Sequence, residues 1–251
     1  LFLVLLGDAQ SVIQRKKRWI RIQRFFCWEG EILLTVESML SSVSDITDIN
    51  KVSISLYREF FNTILCERVF IYHTIDGKKI KLIFEESNFM HVLGAQHILG
   101  RNFKSTKFNS LVDTGEMTFE ELDKRNPRQF ADDIKRFFGF ANIYHVLTNC
   151  EVIYFDKDVY ENQFIPKKST KMDYEYLLFQ TFNSKRIHVG IGTYNRGRTY
   201  FGKSLLVETE LNCKLTKDQQ PIMISKIEVR DKKTNRIIED IAISEVAFTQ
   251  E

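Results

Sequence analysis

Carboxylates are missing from two long stretches of this sequence. Asp and Glu supply 33 of its 251 residues, yet none occurs between Glu86 and Asp113 or between Glu175 and Glu208. The first window holds His91, His97, Arg101, Lys104 and Lys107; the second holds Lys185, Arg186, His188, Arg196, Arg198 and Lys203. Basic groups without neighbouring carboxylates attract a polyanion, so both windows are expected to face the ligand. Net charge is only +3, which excludes a generic polycation and rests the argument on where charge is placed.

Other absences narrow the chemistry. The four cysteines, Cys27, Cys66, Cys150 and Cys213, lack the C-x-x-C spacing of a metal or redox site, and a chain of this size needs no disulfide staples. They are read as reduced and cytoplasmic. There is no P-loop, no G-x-S-x-G elbow, no dinucleotide fingerprint and no Cys/His metal cluster. Asp132 and Asp133 are adjacent and do not share a helix face, which argues against a two-metal nuclease. No metal and no cofactor are expected. The apolar run Leu1 to Leu6 precedes the basic cluster Arg15 to Arg24, the reverse of a signal peptide, and is too short to span a bilayer. No stable membrane association is expected. Residues 1–48 are read as an appendage made of a basic helix and a linker (Ser41 to Asp48), and 49–251 as the main domain.

Within that domain the hydrophobic period changes. Leu56, Phe60, Phe61, Ile64 and Leu65 predict a helix over Ser53 to Cys66, and Val69 to His73 with Lys79 to Phe84 predict a hairpin about Asp76-Gly77. A short helix carrying Phe89, Val92 and Leu93 is expected to break near Gly94 and Gly100. Thr118-Phe-Glu-Glu121 reads as a capping box, and Pro127 as the restart of a helix running to Leu147. From Cys150 the period is two, with strands over 152–155, 176–182, 186–194, 199–207, 222–229 and 237–243. The class is α+β, N-terminal helices and a β-hairpin packed on a C-terminal antiparallel β-sheet. In Arg186 to Tyr194 the even positions are Arg186, His188, Gly190, Gly192 and Tyr194, and that even face is the expected working surface.

Asn88-Phe-Met-His-Val-Leu-Gly94, the capped helix after it, the Arg136 helix and a late strand ending in Lys203-Ser204 together resemble a family. It is the fourth type of phage polyvalent-protein nuclease with the Barnase-EndoU-Colicin-RelE-like (BECR) fold. The resemblance runs from about Ser53 to Glu245, with His91-Val-Leu-Gly94 as its best motif, and does not extend to the first 48 residues. It implies a phage or mobile-element protein, of the toxin or effector type, that cleaves RNA without a metal. The implied partners are RNA, tRNA among them, and an antitoxin or immunity protein.

Such an enzyme needs a general base, a general acid and cationic phosphate donors. His91 and His188 are the acid/base candidates, because histidine titrates near neutral pH unaided. Lys203 and Ser204 are further catalytic candidates, although on a regular strand only one of the two faces the site unless a bulge intervenes. Arg101, Lys104, Arg136, Arg186, Arg196 and Arg198 are candidates for holding the substrate, and Tyr194 and Tyr200 for stacking on bases. Each has a plainer explanation: a lone histidine in an apolar run is often a satisfied core residue, and strand aromatics mostly pack on neighbours. His97 is expected to be structural, since six residues along one helix turn it about 240 degrees away from His91. His73 and His145 are left aside. The rival function is a non-catalytic nucleic-acid-binding accessory protein on the same scaffold.

Overall fold

A computed structural model describes residues 34–193, 198–209 and 213–243. The basic cluster Arg15 to Arg24, Leu1 to Leu6, Tyr194 and Arg196 lie outside the described residues. Chain order begins with α1 (Val36–Ser41) and α2 (Ile54–Phe60), the latter continuing through a π-helical turn at Phe61–Leu65. The hairpin β1 (Arg68–Thr74) and β2 (Lys79–Ile83) follows. A helical layer comes next: α3 (Phe89–Leu93), α4 (Gln96–Leu99), α5 (Ser105–Asp113), α6 (Phe119–Arg125), α7 (Pro127–Phe140) and α8 (Ile143–Thr148). The chain ends in β3 (Glu151–Tyr154), α9 (Lys157–Asn162), β4 (Tyr176–Phe182), β5 (Lys185–Thr193), β6 (Thr199–Thr209), β7 (Gln220–Ile222), β8 (Ile224–Asp231) and β9 (Ile237–Ala242).

Local chemistry sets these boundaries. Ser53 Oγ accepts the Leu56 amide at 3.1 Å and opens α2. Gly94 and Gly100, at φ +88° and +85°, end α3 and α4 in backbone geometry that glycine adopts without steric cost. Thr118 Oγ1 caps α6 by accepting the Glu121 amide, but the Glu121 carboxylate takes Arg125 Nε at 2.9 Å, so only half of the expected capping box forms. Asn126 caps α7, with Pro127 at its first position. The helix expected to run to Leu147 breaks after Phe140, because Asn142 turns its side chain to the preceding linker. Its Oδ1 accepts the Ser44 amide at 2.7 Å and its Nδ2 donates to Ser44 O at 2.8 Å. With Met39 fully buried and Ile46 nearly so, residues 34–48 pack on the helical layer.

The α+β class is as expected, with one refinement of the sheet. Among the described residues, nine strands run in the order β7-β3-β4-β5-β6-β2-β1-β8-β9. The hairpin is built into this sheet and does not lie on its face: β1 pairs with β8, and β2 pairs in parallel with β6 over Lys81↔Thr199 to Ile83↔Phe201. Helices cover one face, here called inner. Gly139 of α7 lies so close to the sheet that a Cβ there would sit 2.7 Å from Val207 Cγ2. Phenylalanines fill this interface as core: Phe61 meets Phe89 at 5.2 Å between centroids and Tyr57 meets Phe140 at 4.7 Å. A second, smaller cluster of Ile153, Phe155, Leu177, Phe179 and Leu215, with Tyr160 of α9 against it, covers part of the outer face.

Candidate active site

β2 leaves β6 after the Ile83↔Phe201 pair, and α3 and α7 pack against β6 instead. At that place Arg136 extends from α7. Its Nε is 3.0 Å from Oδ1 of Asp133, one helical turn earlier, and Asp133 is buried and also accepts Gln129 Nε2 at 2.8 Å. A buried carboxylate so held fixes the guanidinium and leaves its outer nitrogens free to bind elsewhere. Arg136 Nη1 is 3.4 Å from His97 Nε2 and donates to Ser204 Oγ at 3.5 Å. Tyr174 lies on the same face beside Ser204, and burial pushes its hydroxyl pKa up.

His97 lies beside this arginine, and His91 is close enough for its charge to bear on His97. Burial of the ring holds the His91 pKa below its usual value. Burial, the Arg136 cation and His91 do the same to His97, against a smaller opposing pull from Asp133. The expectation that His97 stands apart from His91 is corrected here. The 240-degree argument assumed one continuous helix, whereas Gly94 ends α3 and the chain turns before α4 begins.

Lys203 and Ser204 are reconciled by a bulge. β5 and β6 pair Gly190↔Ser204 and then Ile191↔Gly202, so Lys203 is the extra residue and both side chains serve the outer face. A Cβ on Gly192 would meet Lys203 Nζ at 2.7 Å, and one on Gly190 would meet the Tyr174 ring at 2.6 Å. Those two glycines therefore seat a lysine and a tyrosine of this protein. Lys203 Nζ donates to Asp173 O at 2.8 Å and meets Asp173 Oδ2 at 3.0 Å.

The even face of β5 is thus not an open surface, and His188 does not join the cluster. His188 is fully buried in the second apolar cluster, its ring 5.7 Å from Phe179 and its Nε2 3.3 Å from Glu208 Oε2, with burial pushing its pKa down. Strand alternation correctly put it on the outer face; it gave no sign that Leu215 and Tyr160 cover that face. Arg186 is engaged there too, donating to Thr216 Oγ1 at 2.7 Å and lying over the Phe179 ring. Tyr200 donates to Glu175 at 2.8 Å and packs on Tyr176, while Arg101, Lys104 and Arg198 are exposed. Asp133, Tyr174 and His97 were not singled out as site residues from the sequence. Only the two glycines flanking α4 hinted at the placement of His97.

A histidine pair, a cation with a buried counter-ion, and hydroxyl groups at the same place suit proton transfer at a phosphate. A family model described as phage-Barnase-EndoU-ColicinE5/D-RelE like nuclease4 matches residues 53–244. The chain belongs to that family. It is a nuclease of the BECR type, and the match spans the helical layer, the hairpin and the whole sheet. No curated protein and no solved structure matches the chain. Among the described residues of this BECR nuclease, no three His, Cys, Asp or Glu side chains are grouped to hold a metal ion. None of its described helices is long and apolar enough to cross a membrane.

Proposed function

We propose that this BECR nuclease is a metal-independent RNA endonuclease of the toxin or mobile-element effector type, acting in the cytoplasm and held in check by an antitoxin or immunity protein. The observation that carries the reading is Arg136 Nη1, placed within 3.5 Å of both His97 Nε2 and Ser204 Oγ on a guanidinium anchored to buried Asp133. Neutral His97, whose protonated form the arginine disfavours, takes the proton from the ribose 2′-hydroxyl. The 2′-oxygen then attacks phosphorus, and the bond to the 5′-oxygen breaks as protonated His91 supplies that oxygen with a proton. The products are a 2′,3′-cyclic phosphate and a 5′-hydroxyl. Arg136 and Lys203 neutralise the crowded phosphate, the arginine as a fork and the lysine as a point charge. Ser204 donates to a phosphate oxygen.

The test is incubation of the full chain with tRNA and mixed RNA in EDTA, followed by analysis of the fragment ends. Fragments ending in 2′,3′-cyclic phosphate, and an RNA left whole when the scissile nucleotide is 2′-deoxy, are the expected results. Cutting that needs added divalent metal, or that treats DNA and RNA alike, contradicts the reading.

A further inference from the structure

A set of lysines outside the cutting site has no role in that chemistry. Residues 164–171 follow α9 and carry Lys167, Lys168 and Lys171; Lys214 and Lys217 lie between β6 and β7. Gln163 ties the two segments together, its Nε2 donating to Lys214 O at 3.0 Å and to Lys217 O at 3.1 Å. Two ammonium groups then share one ring: Lys214 Nζ is 4.4 Å and Lys168 Nζ 5.6 Å from the Phe164 centroid. The two cations therefore lie within about a Debye length, roughly 10 Å at 0.1 M salt, where they repel each other. Among the described residues no carboxylate forms an ion pair with Lys168, Lys171, Lys214 or Lys217, whereas Lys167 has two, with Asp158 and Glu161. A fold that gathers like charges from segments some 50 residues apart, without neutralising them, offers a seat for an anion.

The patch adjoins the cutting site along the chain. Two residues after Lys171 comes Asp173, whose carboxylate meets Lys203 Nζ, and next to it Tyr174, whose ring lies over Gly190 opposite Ser204. Two residues span at most about 7 Å of extended chain. A polyanion passing Lys203 is thus within reach of Lys171, from which the chain leads back to the lysines around Phe164. Ile165, fully exposed beside that ring, gives a nucleobase an apolar surface.

We propose that Lys168, Lys171, Lys214 and Lys217 form a docking surface for the phosphate backbone of an RNA strand on one side of the scissile bond. This rests on the nuclease reading for the identity of the polyanion, and it makes the preferred substrate a strand several nucleotides long.

The test compares wild type with K168E/K214E and, in case the acidic pair disturbs folding, K168Q/K214Q, with thermal melting as the folding control. Binding is read by titrating a long 2′-O-methyl RNA, which lacks the attacking hydroxyl, at several salt concentrations. Cleavage is read on a tetranucleotide. The expected result is about tenfold weaker binding of the long RNA and a log–log salt slope shallower by roughly 1.4, about 0.7 for each lost contact to a single strand. Tetranucleotide cleavage stays within twofold of wild type. Equal binding by wild type and both folded variants overturns the docking surface, as does a loss confined to anionic lipid vesicles. A wild type that docks the RNA through these lysines yet cuts none supports the surface and refutes the nuclease chemistry. Intact cutting with unchanged binding does the reverse.

Discussion

Arg136 donates to Ser204 and contacts His97 while Asp133 holds its Nε, and Gly94 gives it room, since a Cβ there would lie 3.0 Å from Arg136 Cδ. The same cation helps hold the His97 pKa down, and burial does so for both His91 and His97. The sign for catalysis follows. A general acid must carry its proton, and both histidines lose theirs at a pH below the usual 6.5. The kcat/KM profile, which reports the free enzyme, should therefore peak on the acid side of pH 6.5 and fall steadily toward pH 8. A rate that climbs from pH 6 to pH 8 contradicts the assignment of acid and base to this pair.

At the scale of elements, most of the fold was legible. Capping residues, Asp76-Gly77 and alternation after Cys150 located α2, the hairpin and most later strands to within a residue or two, with β4 matching its expected limits, whereas α5 and α9 were not anticipated and the strand expected over 222–229 is two, β7 and β8. These are local signals, and the pairing of strands lies beyond their reach. Nothing in Lys79 to Phe84 says that its neighbour will be β6, or that they will run parallel. The extra residue at Lys203 was also invisible, because a bulge depends on the partner's register. The close seat of α7 on the sheet makes Gly139 a sensitive point. Gly139→Ala gains helix propensity but drives a methyl against Val207 and Leu205. The net expectation is a loss of about 1–2 kcal/mol in urea unfolding, taking overpacking as roughly 1–3 kcal/mol. Stability equal to wild type contradicts this packing.

For the whole molecule, the two carboxylate-free windows met different fates. The first, from Glu86 to Asp113, supplied His97, which the chain folds beside Arg136, and His91, whose charge bears on His97. The second was divided by strand pleat and cover: Ser204 reaches Arg136 with Lys203 next to it on the same face, while His188 is sealed in the small outer core. Charge counts along a sequence carry no information on burial, which explains the error at His188. They also hide the Phe164 lysines, whose segments are flanked by Asp158, Asp173 and Asp218. Single-turnover cleavage of RNA in EDTA by wild type, Arg136→Ala and His188→Leu, each checked for an intact fold, separates the two candidate centres most directly. The account predicts a loss of about 100-fold or more for Arg136→Ala, the scale of removing a preorganised charge-stabilising donor, and cleavage within a few-fold of wild type for His188→Leu. Abolished cleavage in folded His188→Leu, with Arg136→Ala still active, would contradict it.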